Sequence, residues 1–289
     1  MIVSASYRTD IPAFYSDWFD NRLDAGFVEV KNPYSRKLSL VSLLPEDVDG
    51  YVFWTRNPRP FLGNLTRIAK SETPFYIQLT TTGYPSFLEP SVPCLEQLKP
   101  ALETLAADYG DDSLVWRYDP VFISSLTPVD WHLENFANLA SYFHKLTNEV
   151  CISFTQIYQK TTKNSNVAAN KHNFTWSDPT DEEKMHLLSE LARIALENGL
   201  TPTICSQPQF ETPSLRPAKC IDGERLGRIS GASLNVKRRG NRPGCLCAES
   251  RDIGTYDSCP HGCCYCYANR TPEIAKKFLK EHNPQGSLL

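Results

Sequence analysis

The sequence predicts an α/β protein, a TIM-like (βα) barrel, complete or partly open, with a cysteine-rich C-terminal segment. Three observations point there. Short β-rich runs alternate with helical stretches as far as residue 205, the order that produces a mainly parallel sheet. Seven such runs come close to the eight strands of a closed barrel. From about Ser206 the alternation fades into a Pro-, Gly- and Cys-rich region with little periodicity. The expected division is a barrel-like domain over 1–205 and a cysteine-rich segment, 206–289, packed on the barrel mouth.

The strand candidates, in order, are Ile2–Ser6, Phe27–Val30, Tyr51–Trp54, Phe75–Leu79, Leu114–Tyr118, Val150–Phe154 and Pro202–Cys205. Each is short, rich in β-branched or aromatic residues and bounded by polar or turn-forming positions. Helical spacing of apolar residues marks Phe14–Leu23, Phe61–Lys70, Cys94–Tyr109, Trp131–Thr147 and Asp181–Asn198. In the last of these, Met185, Leu188, Leu191, Ile194, Ala195 and Leu196 repeat along one face. Thr180 and Glu183 have capping-box spacing, and Gly199 suits the C-terminal end.

Composition sets outer bounds. Hydrophobic residues make up 41% of the 289, enough for a sizeable core and too many for a disordered chain. A net charge of -3 excludes a uniformly basic nucleic-acid binder. Charge is uneven, since residues 220–289 carry eleven Lys/Arg against seven Asp/Glu. No apolar run approaches the roughly eighteen residues of a membrane span. The charges of Arg8 and Asp10 come too early for a signal-peptide core. A cytoplasmic location is expected, with the ten cysteines held as reduced thiols suited to metal.

Active sites of barrels collect at the C-terminal ends of the strands. Here those ends are polar: Ser4, Tyr7, Arg8 and Asp10; Lys31 and Asn32; Thr55, Arg56 and Asn57; Gln78, Thr80 and Thr81; Arg117 and Asp119; Ser153 and Gln156; and finally Cys205. Arg8, Arg56, Arg117 and Asp119 are the catalytic candidates, because guanidinium groups grip carboxylate or phosphate in a bidentate manner. The competing reading is a structural charge network in which the arginines pair with Asp10 and Asp119. Either way the strand ends suggest a small polar substrate.

Six cysteines crowd into residues 245–266. Cys259, Cys263 and Cys266 form a C-x3-C-x2-C pattern, with Gly262 permitting a tight turn and Pro260 restricting the loop. Three thiolates so placed hold three irons of a [4Fe-4S] cubane and leave the fourth open. Structural zinc is the alternative, with His261 or Cys264 as fourth ligand; another register puts Cys264 in place of Cys263. Cys205, Cys220, Cys245 and Cys247 are a second metal-ligand set, for a second [4Fe-4S] cluster or a zinc ion. Cys94 and Cys151 read as buried apolar cysteines without function. Asp252 or Tyr256, between the two sets, would hydrogen-bond near the cluster or belong to a plain turn. Lys237, Arg238, Arg239 and Arg242 would suit a phosphate backbone, so nucleic acid is a possible but unfavoured partner.

Four segments resemble one known family: MIVSASYRTDIPAFY at the N-terminus, VFWTRNP and WRYDPV in the centre, and CLCAESRDIGTYDSCPHGCCYCYAN near the C-terminus. They are similar to the prokaryotic proteins grouped as domain of unknown function 1848, over essentially the whole chain. The family supplies no activity, but its C-terminal cysteines resemble the cluster motif of radical S-adenosylmethionine (SAM) enzymes. That resemblance implies a [4Fe-4S] cluster on Cys259, Cys263 and Cys266, with Tyr265 as the aromatic residue before the last cysteine. It further implies SAM on the open iron and reductive cleavage to a 5'-deoxyadenosyl radical that abstracts hydrogen from substrate. An electron donor such as flavodoxin or ferredoxin follows from the same chemistry. Arg8, Arg56 and Arg117 would then hold SAM or a substrate carboxylate or phosphate, and Tyr7 or Tyr118 would quench a radical. In radical SAM enzymes the motif follows the first strand and a Gly-Gly-Glu run follows the second; here the motif follows the last strand and no such run is present. The rival readings are a [4Fe-4S] enzyme that does not use SAM and a zinc-binding nucleic-acid-binding protein.

Overall fold

The computed structural model describes residues 1–240 and 244–289. In chain order the elements are β1 (Ile2–Ala5), α1 (Ile11–Phe14), α2 (Ser16–Ala25), β2 (Phe27–Lys31), β3 (Leu38–Ser42), β4 (Gly50–Thr55), α3 (Leu62–Lys70), β5 (Phe75–Thr80) and α4 (Leu95–Tyr109). They continue with β6 (Leu114–Val121), α5 (Val129–Phe143), β7 (Glu149–Phe154), α6 (Gln159–His172), α7 (Asp181–Glu197) and β8 (Thr201–Ile204). The last are β9 (Arg216–Pro217), α8 (Gly223–Ser230), β10 (Ser250–Asp252) and α9 (Pro272–Glu281).

Eight strands form one sheet in the order β10-β1-β4-β5-β6-β7-β8-β9, and every neighbouring pair is parallel. The sheet is open: β9 and β10 are its two edges and do not pair with each other, so the closed barrel is not formed. Six of the seven predicted strands are in it. The seventh, Phe27–Val30, instead belongs to an antiparallel hairpin with β3. Asn32 makes that turn, its side-chain oxygen accepting the backbone N–H groups of Tyr34 and Ser35. Both edge strands come from the region after residue 205, where two and three residues are too few to leave an alternating pattern.

Strand periodicity divides the core into two faces. Val3 and Ala5, Tyr51 and Phe53, Phe75 and Ile77, Trp116 and Tyr118, and Val150 and Ile152 pack against the helices. These residues meet Trp18 and Phe19 of α2, Leu65 of α3, Leu102 of α4, Phe136 and Phe143 of α5, and Leu188 and Leu191 of α7. Trp116 stacks between Phe136 and Phe143 at ring separations of 4.9 and 4.8 Å; burying such a ring contributes about 2–3 kcal/mol. On the opposite face, Ile2, Val52, Tyr76, Val115 and Cys151 pack with Leu226 of α8 and with Ala218, Cys220, Ile221, Cys247 and Ala248. Thus residues after 205 supply both sheet edges and fill the inner face.

The predicted helices are present within a few residues of their expected ends. Thr180 and Glu183 form the capping box, and Gly199 has φ of +75° just beyond α7. Helix α6 is polar and buries only Thr161, Ser165 and Ala169, which is why apolar spacing gave no sign of it. Among the described residues, no helix is long and apolar enough to cross a membrane.

Candidate functional site

The inner face and C-terminal mouth of the sheet open into one cleft of about 1630 Å³. Arg8, Arg56, Arg117, Asp119 and Tyr265 all line it, as do Cys205, Cys220, Cys245, Cys247, Cys259, Cys263 and Cys266. Parallel strands deliver their C-terminal residues to one end of the sheet, and the loop after β10 returns the last three cysteines to the same end.

Cys259, Cys263 and Cys266 sit on a loop tied down from several sides. Asp10, at the N-cap of α1, accepts from Ala13 N at 2.9 Å, from Arg56 N at 2.8 Å and from His261 Nε2 at 2.8 Å. The other ring nitrogen of His261 meets the Ser91 carbonyl at 3.0 Å. Both nitrogens are thus engaged, which removes His261 as a fourth zinc ligand. Cys264 turns away from the cleft into an apolar cluster with Tyr84, Leu88 and Phe122, so neither the alternative register nor a Cys264 ligand fits. Gly262, with φ of +78°, makes the turn between Cys259 and Cys263 in a conformation side chains disfavour.

The surroundings suit anionic sulfur. Cys266 accepts the Ala268 N–H at 3.3 Å, and nearby backbone N–H groups, of His261 and Asp10 at Cys259 and of Ala268 and Asn269 at Cys266, favour the thiolates. Burial pushes all three thiols up, opposed at Cys263 by the guanidinium of Arg56. A bound cation would reverse that balance, because thiolates in a desolvated site need positive charge. Lys160 lies near Cys266 and over the ring of Tyr256, 5.4 Å from its centroid.

Each of the three arginines has an internal carboxylate partner. Arg8 pairs with Asp252 at 2.8 Å, Arg56 with Glu89 at 2.6 Å, and Arg117 with Asp119. This is the charge network anticipated as the alternative, with Asp252 and Glu89 in place of Asp10. Tyr265 donates to Glu89 and accepts from Arg56 Nη2 at 2.9 Å. Burial works against the charge of Arg56, yet Cys263, Glu89 and Tyr265 outweigh it and hold its pKa well above the usual value. Asp252 also accepts from Ser4, Ser6, Tyr7 N and Gly254 N, fixing β10 to the end of β1. Tyr118 lies on the helix-facing side, hydrogen-bonded to His132 and Asn135, and so is placed away from the cleft; Tyr7 lines it.

A second group of cysteines lies deeper. The sulfurs of Cys151, Cys205 and Cys220 are within 4.8 Å of one another, and the trio could hold a metal ion. The neighbouring thiols of Cys151, Cys205 and Cys247 hold the pKa of Cys220 well below the usual range. Cys151 was expected to be an inert core residue. Alternation with Val150 and Ile152 on β7 turns it inward with Ser153, but the sulfurs it meets there are brought to it only by the fold. Cys94, by contrast, is exposed at the N-cap of α4. Of the basic run, Arg239 pairs with Glu249 at 2.7 Å, and Arg242 is outside the described residues.

A family model described as Domain of unknown function (DUF1848) matches residues 2–268. The chain belongs to that family. The match takes in every cysteine and every strand of the DUF1848 sheet and ends before α9. Searches of curated proteins and of solved structures give no match.

Proposed function

We propose that this DUF1848 protein is an iron-sulfur enzyme of the radical SAM type, with its [4Fe-4S] cluster on Cys259, Cys263 and Cys266. The observation that carries the reading is the place of the motif in the sheet. β10 is an edge strand, parallel to and paired with β1, and the motif loop follows it directly. In space the motif therefore follows the first strand of a parallel sheet, although in sequence it follows the last.

The residues present fit such a group. The three cysteines line the cleft, backbone N–H groups favour the thiolates of Cys259 and Cys266, and Arg56 does so at Cys263. Hydrogen bonds to cluster sulfur tune potential and stabilise the reduced charge. When bound, the cluster supplies one-electron reduction of SAM. The chain supplies position and shielding: Asp10 and His261 hold the loop against α1, and Tyr265 with Glu89 fixes Arg56. Thr80, Arg117, Asp119, Ser153 and Gln156 give the cleft a hydrogen-bonding wall for a small polar substrate. Because its arginines are already paired, they act by orienting neighbours more than by gripping a free anion.

Electron paramagnetic resonance on anaerobically purified, dithionite-reduced protein tests this reading. The expected result is a [4Fe-4S]+ signal that changes shape when SAM is added and is absent from the Cys263→Ala variant. A signal indifferent to SAM overturns the radical part. Protein reconstituted with iron and sulfide that still carries no cluster overturns the whole.

A further inference from the structure

The cysteines at the inner face of the sheet form a site of their own. Cys151 belongs to β7 and Cys205 follows β8, and these neighbouring strands pair in register, Cys151 opposite Thr203. Cys220 lies in the loop before α8. Its carbonyl accepts from Tyr76 Oη at 2.8 Å and from Gln78 Nε2 at 2.9 Å. Arg117 Nη1 donates to the Cys220 sulfur at 3.1 Å and to Gln78 Oε1 at 3.0 Å. Cys247 accepts the N–H of Ile221, the residue after Cys220, at 3.3 Å, and its sulfur lies outside the 4.8 Å trio, toward which it would have to close in as the fourth ligand. Cys151, Cys220 and Cys247 are all buried.

We propose that Cys151, Cys205, Cys220 and Cys247 bind a single zinc ion as a closed four-thiolate centre, separate from the iron-sulfur site. Spacing decides between the two kinds of metal group. A Zn–S bond of about 2.3 Å places tetrahedral sulfurs about 3.8 Å apart. The Cys205 and Cys220 sulfurs are 3.3 Å apart, and the whole trio lies within 4.8 Å. A cubane carries its thiolates on the outer corners of a four-iron core, farther apart than one ion holds them, and this trio is too tightly drawn for it. The donor set also suits the ion: soft thiolates select zinc or iron-sulfur over hard cations. Four thiolates around a dication leave a net negative charge, and Arg117, already paired with Asp119, contributes a hydrogen bond to the Cys220 sulfur. Such an ion would join β7 and the end of β8 to two stretches of the cysteine-rich region.

The inference does not depend on the proposed cluster, and the test separates them. In the full-length chain, Cys259, Cys263 and Cys266 are all changed to Ala, and zinc, iron and labile sulfide are measured. The expected content is about one zinc per chain with no iron or sulfide. Adding Cys205→Ser and Cys220→Ser should reduce zinc at least tenfold. Iron with sulfide retained in the triple variant overturns the proposal in favour of a second cluster. A Cys205–Cys220 disulfide without metal overturns it as well. Should the triple variant fail to fold, zinc-edge X-ray absorption on the unaltered protein reads the same site. A sulfur-only shell of four is expected, and a nitrogen- or oxygen-containing shell, or no zinc, sinks the idea.

Discussion

Gly254 has no room for a side chain. A Cβ there would lie 2.0 Å from Ser6 Oγ and 2.5 Å from Ser6 Cβ, and Ser6 and the Gly254 N–H share the same Asp252 carboxylate. Gly254→Ala must therefore push the loop after β10 away from β1 or break the Asp252 network. Overpacking of this kind costs about 1–3 kcal/mol, or roughly 2–4 °C in Tm per kcal/mol for a chain of this size. Gly63 is the control: it lies in α3 with nothing within 4 Å of its ideal Cβ. Gly63→Ala should leave Tm unchanged or raise it, by up to about 1 kcal/mol through helix propensity. Thermal unfolding of the two variants checks the contrast, and equal Tm values would remove the claim of close approach. Individual residues were unevenly legible at this scale. The C-x3-C-x2-C set could be read because its members lie within eight positions of one another. Cys151 could not, because its partners lie 54 and more residues away and only the fold brings them together. The carboxylates that neutralise Arg8 and Arg56, Asp252 and Glu89, are remote in sequence for the same reason.

Elements were legible where they bury an apolar face and obscure where they do not. The alternation in β6 places Trp116 and Tyr118 against the helices and Arg117 in the cleft. Helix α6 and the edge strands β9 and β10 bury too little to leave a pattern, and the hairpin β2–β3 imitates a sheet strand by composition alone. The junction of β6 with α5 has a pH dependence of its own. His132 on α5 is fully buried, with Nδ1 at 2.8 Å from Tyr118 Oη and Nε2 at 3.2 Å from the Phe122 carbonyl. Around it pack the rings of Tyr84, Tyr118 and Trp131. Burial lowers its pKa to about 4, partly opposed by the Phe122 carbonyl. The unfolded chain, with an ordinary histidine value near 6.5, then binds the proton more readily than the folded one. This contribution is complete above pH 6.5 and is lost as pH falls toward 4, amounting to roughly 2 kcal/mol by pH 5. Urea unfolding at pH 7 and pH 5 should show that loss in the native sequence. In His132→Gln, whatever its absolute stability, the pH 7 to pH 5 difference should be smaller by that amount. Equal differences in the two proteins would exclude His132 as the source.

On the scale of the whole molecule, sequence order and spatial order disagree at one place, and the function proposed here depends on it. β1 opens the chain but is not an edge strand; β10, from the last sixth of the sequence, pairs outside it with Ile2 opposite Ser250 and Ser4 opposite Asp252. A sequence in which residues 241–289 came first would build the same sheet in nearly sequential order, its motif directly after the first strand. The tie between the two ends of the chain goes beyond the sheet. Trp18 Nε1 and Arg22 Nη2 donate to the carbonyls of Gly286 and Gln285 at 3.0 Å each, and Tyr15 Oη donates to the Ser258 carbonyl at 2.6 Å. If these contacts and not chain connectivity place the motif, connectivity can be changed without moving it. The test is a circular permutant opened between Gly240 and Asn241, with Leu289 joined to Met1 through a long Gly/Ser linker. Loop closure grows only as the logarithm of linker length, so the new connection costs little more than the old. The ion pair lost at the N-terminal amine is between partly exposed groups and is weak for that reason. The permutant should fold with Tm within several degrees of the native chain, and should carry the same iron, sulfide and zinc per chain. A folded permutant lacking iron would show that the native connection, and not the β1–β10 pairing, positions Cys259, Cys263 and Cys266, and the spatial argument for a radical SAM arrangement would fall with it.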